Sequence, residues 1–179
     1  MSEWVEDVLG APYERRTIDL GIDPDGEGLI NATLVRRVST DEVRRAVIYV
    51  HGFTDYFFQT ELANFYADRG YAFYSLDLRK CGRSLADGHT PHYVSDLALY
   101  DAELTEALRI VRAETDVPIV LSGHSTGGLV LALWLDQLNM LPGGTTGKGI
   151  AGAIFNSPWF DLQGNAMARS VGTQGIKAG

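Results

Sequence analysis

Four short apolar runs set the architecture open to this chain: Ala46–Val50, Tyr71–Asp77, Pro118–Leu121 and Ile150–Asn156. Runs so brief read as strands, and the continuous apolar run Ala46–Val50 suits a strand that is covered on both faces. Helical patterns separate them. In "ELANFYADRGY", Leu62, Phe65, Tyr66 and Arg69 recur at three-to-four-residue steps, and Gly70 supplies a left-handed stop. "SDLALYDAELTEALRIVRAE" carries Leu97, Leu104, Leu108 and Val111 on one face, with Ser95 as its expected cap. "TGGLVLALWLDQL" is the third helix, followed by the glycine-rich "PGGTTGKG". Strands that alternate with helices need crossover connections, so the sheet is expected to be parallel with helices on both faces.

Upstream, Arg15–Leu20 and Leu29–Val38 flank "GIDPDGEG", a segment dense in turn residues. That pattern predicts an antiparallel hairpin. The expected fold is therefore α/β: one domain across residues 1–179, with a mostly parallel, doubly wound sheet and an antiparallel N-terminal hairpin.

The formal net charge of −8, with no basic cluster, argues against a nucleic-acid partner. The acidic start "MSEWVEDVLGAPYERR" lacks the apolar core of a secretory signal. No apolar stretch approaches the roughly 20 residues of a membrane span. Cys81 is the single cysteine, which rules out an intrachain disulfide and a cysteine-rich metal site. A cytoplasmic location is the expectation, with no metal and no organic cofactor implied.

Chemistry concentrates at "LSGHSTGGL", where Gly123-His124-Ser125-Thr126-Gly127 fits G-x-S-x-G between a buried strand and an apolar helix. A nucleophile on a strand-to-helix turn needs strained dihedrals, and glycines two before and two after it remove crowding side chains. Ser125 then sits at a helix N-terminus, which favours negative charge. The Thr126 N–H would face a developing oxyanion. His51-Gly52-Phe53, after the Ala46–Val50 strand, offers a second donor in the Phe53 N–H, while Gly52 allows close approach. Each such donor is typically worth about 3–4 kcal/mol in the transition state.

These residues carry a resemblance. "HGF", "RGYAFYSLDLRKCGRS", "GHSTGGLV" and "GAIFNSPWFD", spread from Arg45 to Asp161, resemble the α/β-hydrolase fold and, within it, the group of monoacylglycerol lipases, lysophospholipases and serine-aminopeptidase-like proteins. The resemblance implies a serine hydrolase that cleaves carboxylic esters, with Ser125 as nucleophile and Phe53 and Thr126 as oxyanion-hole donors. The loop after Tyr71–Asp77 departs from the group's D-x-R-G-x-G-x-S, since Lys80 stands where that pattern has glycine.

The resemblance also implies a cap after Ile150–Asn156, then strands bearing the triad acid and histidine. Residues 161–179 fall where a cap would begin, so both partners of Ser125 are expected to lie outside this sequence. Among residues present, His124 is expected to point away from the elbow and His51 to brace the oxyanion loop. His89 and His92 are expected to be solvated. Asp161, just past a strand, is a candidate acid. Cys81 reads as a half-buried thiol without chemistry, and Asp77, Arg79 and Arg83 as loop-organising charges. Phe57, Phe58, Trp159 and Phe160 suit either an acyl pocket or packing. Three functions stay open: an ester hydrolase acting on a small-molecule ester, a catalytically incomplete fragment of one, and a non-catalytic protein that binds a small ligand. Exposed strand edges after Ile150–Asn156 add an expectation of self-association.

Overall fold

The computed structural model describes residues 3–39, 42–140 and 149–160. Strands β1 (Val5–Glu6), β2 (Tyr13–Ile22), β3 (Leu29–Arg37), β4 (Arg45–Val50), β5 (Tyr71–Asp77), β6 (Ile119–His124) and β7 (Ile150–Asn156) form one sheet. Its order is β1-β2-β3-β5-β4-β6-β7. Pairs β4/β5, β4/β6 and β6/β7 are parallel, while β1 to β3 run antiparallel and join through β3/β5. The expected alternation is observed, with α1 (Thr60–Ala67), α2 (Asp101–Glu114) and α3 (Thr126–Met140) as crossovers. Most of "PGGTTGKG" lies outside the described residues.

Alternation along the strands sorts the core into two layers. Val47, Tyr49 and Phe73 face α1 and pack with Ala63, Tyr66, Tyr13 and Phe57. Ala46, Ile48, Val50 and Leu76 face α2 and α3, where Leu104, Leu108, Val111, Leu131 and Trp134 cover them. Burying a side chain of leucine or phenylalanine size contributes roughly 1.5–3 kcal/mol. Both layers are needed, because β4 is buried on both faces from Ala46 to Val50.

Four details differ from the sequence expectation. Strand β1, only two residues long, carries no periodicity to read. Helix α1 buries Ala63 and Tyr66, whereas Phe65 stays exposed under the Arg69 guanidinium, 3.6 Å from its ring centroid. Helix α2 is preceded by a 3₁₀ turn, Leu97–Tyr100, whose cap is Asp96 rather than Ser95: the Asp96 carboxylate accepts from Ala98 N–H at 2.9 Å. Cys81 is 3% exposed, fully buried rather than half-buried, and burial pushes its thiol pKa up to about 12.

Candidate active site

Strand β6 lies between β4 and β7, so its C-terminal end meets the loops that leave both neighbours. Ser125 occupies that end and α3 starts at the next residue. Its φ is +51°, left-handed backbone that a non-glycine residue adopts at a cost of about 1–3 kcal/mol. Surrounding bonds hold it there. Ser125 N–H donates to the Asn156 carbonyl at 3.0 Å, and the Ser125 carbonyl accepts from Gly128 N–H at 3.0 Å and Trp159 N–H at 3.1 Å. The elbow is thus clamped from its own helix and from the segment after β7.

Two glycines make the turn sterically feasible. A Cβ on Gly127 would lie 2.4 Å from both the Val50 and His51 carbonyl oxygens, and one on Gly123 would lie 2.7 Å from the Gly128 nitrogen. Both clashes are with backbone that cannot move without disturbing β4 or α3.

The loop after β4 comes just as close. A Cβ at Gly52 would sit 3.2 Å from the Ser125 Cβ and 3.5 Å from the His124 ring. His51 is 1% exposed and fully engaged: its Nε2 accepts from Leu78 N–H at 3.1 Å, and its Nδ1 lies 2.7 Å from the Gly52 carbonyl oxygen. Acceptance at Nε2 places the proton on Nδ1, which donates to Gly52. His51 thus ties this loop to Leu78 through both ring nitrogens, and neither is free to accept a proton. Among the described residues, neither Phe53 N–H nor Thr126 N–H has a protein acceptor.

No histidine bonds the Ser125 hydroxyl among the described residues. His89 accepts from Ala86 N–H at 3.3 Å, and its other nitrogen lies 3.1 Å from the Leu29 carbonyl. The His92 Nδ1 lies 3.3 Å from Cys81 Sγ. Both are half-buried and partnered, not simply solvated. Burial, together with His51 nearby, lowers the pKa of His92. His124 is half-buried at the end of β6. Asp161 lies outside the described residues.

Charges in the loop after β5 are structural. Asp77 accepts from Phe57 N–H at 2.8 Å and from the Arg83 guanidinium at 2.8 Å. Arg83 also grips Asp7 through two bonds, at 2.6 and 2.7 Å. Arg79 makes a forked pair with the fully buried Glu103. Phe57 is 0% exposed between Tyr13 and Phe73, so it belongs to the core and not to a pocket. Phe53, Phe58, Trp159 and Phe160 are instead exposed or half-exposed on the loops that flank Ser125. Asp7, Asn156 and the Leu78 N–H are the supporting groups that sequence reasoning missed. Each acts across the fold, and two of them act through backbone atoms, which leave no trace in residue identity. Among the described residues, no group of three or more His, Cys, Asp or Glu side chains is arranged to hold a metal ion, and no helix is long and apolar enough to cross a membrane.

The fold has known counterparts. A thermostable carboxyl esterase from Bacillus coagulans is 17% identical and superposes with a TM-score of 0.62, covering 79% of this chain and 43% of its own. An α/β-hydrolase from a Penicillium species is 21% identical with a TM-score of 0.61, covering 89% and 51%. A monoglyceride lipase from Saccharomyces cerevisiae is 22% identical with a TM-score of 0.58, covering 98% of this chain and 50% of its own. This chain thus spans about half the length of these solved relatives. No curated protein matches it significantly in sequence. Residues 41–175 match the family described as serine aminopeptidase, S33. With that match over most of its length and the sheet described above, the chain belongs to the serine aminopeptidase (S33) family of the α/β-hydrolase fold.

Proposed function

We propose that this chain carries the nucleophile and oxyanion-binding part of a serine hydrolase that cleaves carboxylic esters. One observation carries the reading: Ser125 is held at φ +51° between β6 and α3, with Gly52 packed close against its Cβ. In this reading the Ser125 Oγ attacks the ester carbonyl and its proton passes to a histidine base. The N–H groups of Phe53 and Thr126 hold the oxyanion, helped by the α3 dipole. Collapse returns the proton to the departing alcohol and leaves an acyl-serine. Water then adds, and the acid leaves. Phe53, Phe58, Trp159 and Phe160 favour an apolar acyl group, because they stand exposed on the loops after β4 and β7, which reach Ser125 through Gly52 and the Trp159 N–H.

A second reading, an elbow without turnover in residues 1–179 alone, is favoured by a specific observation. All four histidines are described, and none bonds Ser125 Oγ; without a positioned base, serine is a poor nucleophile. The test of the first reading is hydrolysis of a short p-nitrophenyl ester by the full-length protein. Ser125→Ala is expected to lower kcat by at least about 10³-fold. Equal turnover in the alanine variant would overturn the assignment.

A further inference from the structure

Lys80 has a left-handed backbone, φ +58°, yet it is not glycine, and its side chain is fully buried. A buried ammonium on strained backbone persists only where its partners fix it. Its nitrogen lies 2.6 Å from Asp23 Oδ2 and 2.8 Å from Glu27 Oε2, both in the β2–β3 turn, and 5.5 Å from the centroid of the Tyr93 ring. The same turn grips the following loop at further points. Glu27 accepts from Thr90 N–H at 2.9 Å and from the Thr90 hydroxyl, and Asp25 accepts from Ser95 N–H at 3.0 Å. Residues 89–95 are therefore fixed to a hairpin that itself takes no part in the elbow.

The fixed loop reaches the oxyanion segment through one side chain. His92 N–H donates to the Lys80 carbonyl at 3.0 Å, and the His92 backbone is itself left-handed at φ +62°. Its ring is anchored at Nδ1 by Cys81 and stands edge-on to Phe53, with centroids 6.0 Å apart at 64°. Phe53 is 66% exposed, and among the described residues His92 is the aromatic ring packed against it.

We propose that Lys80 and His92 are positioning residues: Lys80 locks the 89–95 loop to the β2–β3 turn, and His92 holds Phe53 so that its N–H stays aimed beside Ser125. The inference rests on the hydrolase reading for its consequence, though not for its geometry.

The test uses the full-length protein with two readouts. The first is the ¹⁵N-relaxation order parameter of the Phe53 amide, which needs no turnover. It is expected to be about 0.85 in the native protein, to fall below about 0.6 in His92→Ala and to recover in His92→Phe, which restores a ring. Lys80→Gly suits the backbone at position 80 but removes the ammonium, and it is expected to loosen residues 89–93 and Phe53 together. The second readout is ester turnover. His92→Ala is expected to lower kcat about tenfold with KM within twofold, and His92→Phe to restore it. An unchanged Phe53 order parameter in His92→Ala would overturn the inference, whatever Lys80→Gly does to folding. A loosened Phe53 in a protein whose native form turns over no ester would sink the hydrolase reading and leave the positioning intact.

Discussion

Ser125 is tolerated at φ +51° because its neighbours at 123 and 127 have no side chains. Gly127→Ala would drive a methyl group to 2.4 Å from two carbonyl oxygens of the β4 end. Overpacking of this kind costs about 1–3 kcal/mol, and more where backbone must shift. At roughly 2–4 °C per kcal/mol for a chain of this size, the melting midpoint by circular dichroism is expected to fall by about 2–12 °C. An unchanged midpoint would mean that the Val50 and His51 carbonyls yield without cost. This part of the candidate site was legible in the sequence, because glycine spacing around a serine is a local signal. Phe57 was less legible. An aromatic residue four positions after Phe53 reads equally as pocket or core, and only the packing of Tyr13 and Phe73 decides for core. Asp7 left no signal at all, since its partner Arg83 lies 76 residues away.

Strands and helices were legible wherever burial imposes a period. β4 to β7 and the three helices follow from apolar runs and three-to-four-residue spacing. The start of α2 was not, because Ser95 and Asp96 are both good caps and only the 3₁₀ turn at Leu97 selects Asp96. The contact between the β2–β3 turn and the 89–95 loop was also hidden, since it joins two polar segments that each read as solvated. That contact carries a pH dependence. The Lys80 ammonium first, and Thr90 next, hold the Glu27 carboxyl down to about 2 from 4.5. Burial opposes the charge on Asp23, but Lys80 and turn N–H groups outweigh it and hold its pKa below the ordinary value. A carboxyl depressed in the folded state stabilises fully above its unfolded pKa and loses that contribution as pH falls through its folded pKa. The contact's contribution to stability is therefore expected to be fully present above about pH 4.5 and to be lost as pH falls through about 2, where the contact itself titrates. The Thr90 amide shift in a ¹⁵N-correlated NMR titration reads this directly. Native protein is expected to titrate with a midpoint near 2 and Glu27→Gln to stay flat; a native midpoint at the ordinary value of 4.5 would contradict it.

Across the whole molecule, function follows from where the sheet places its loops. Because β6 is flanked by β4 and β7, the HGF segment and the Asn156–Phe160 segment both converge on Ser125. One brings a close backbone approach and the Phe53 N–H, the other clamps the elbow, and both present exposed aromatic rings. The family and the parallel order of these strands could be read from the sequence. The clamp could not, since it acts through the backbone of Asn156 and Trp159. In the proposed hydrolase, Ser125 is the group that forms a covalent bond to substrate. Intact-mass analysis of the full-length protein after incubation with an alkyl p-nitrophenyl phosphonate tests it most directly. A single adduct is expected, on the peptide that contains Ser125 and absent from Ser125→Ala. An adduct on another residue, or equal labelling of the alanine variant, would contradict it.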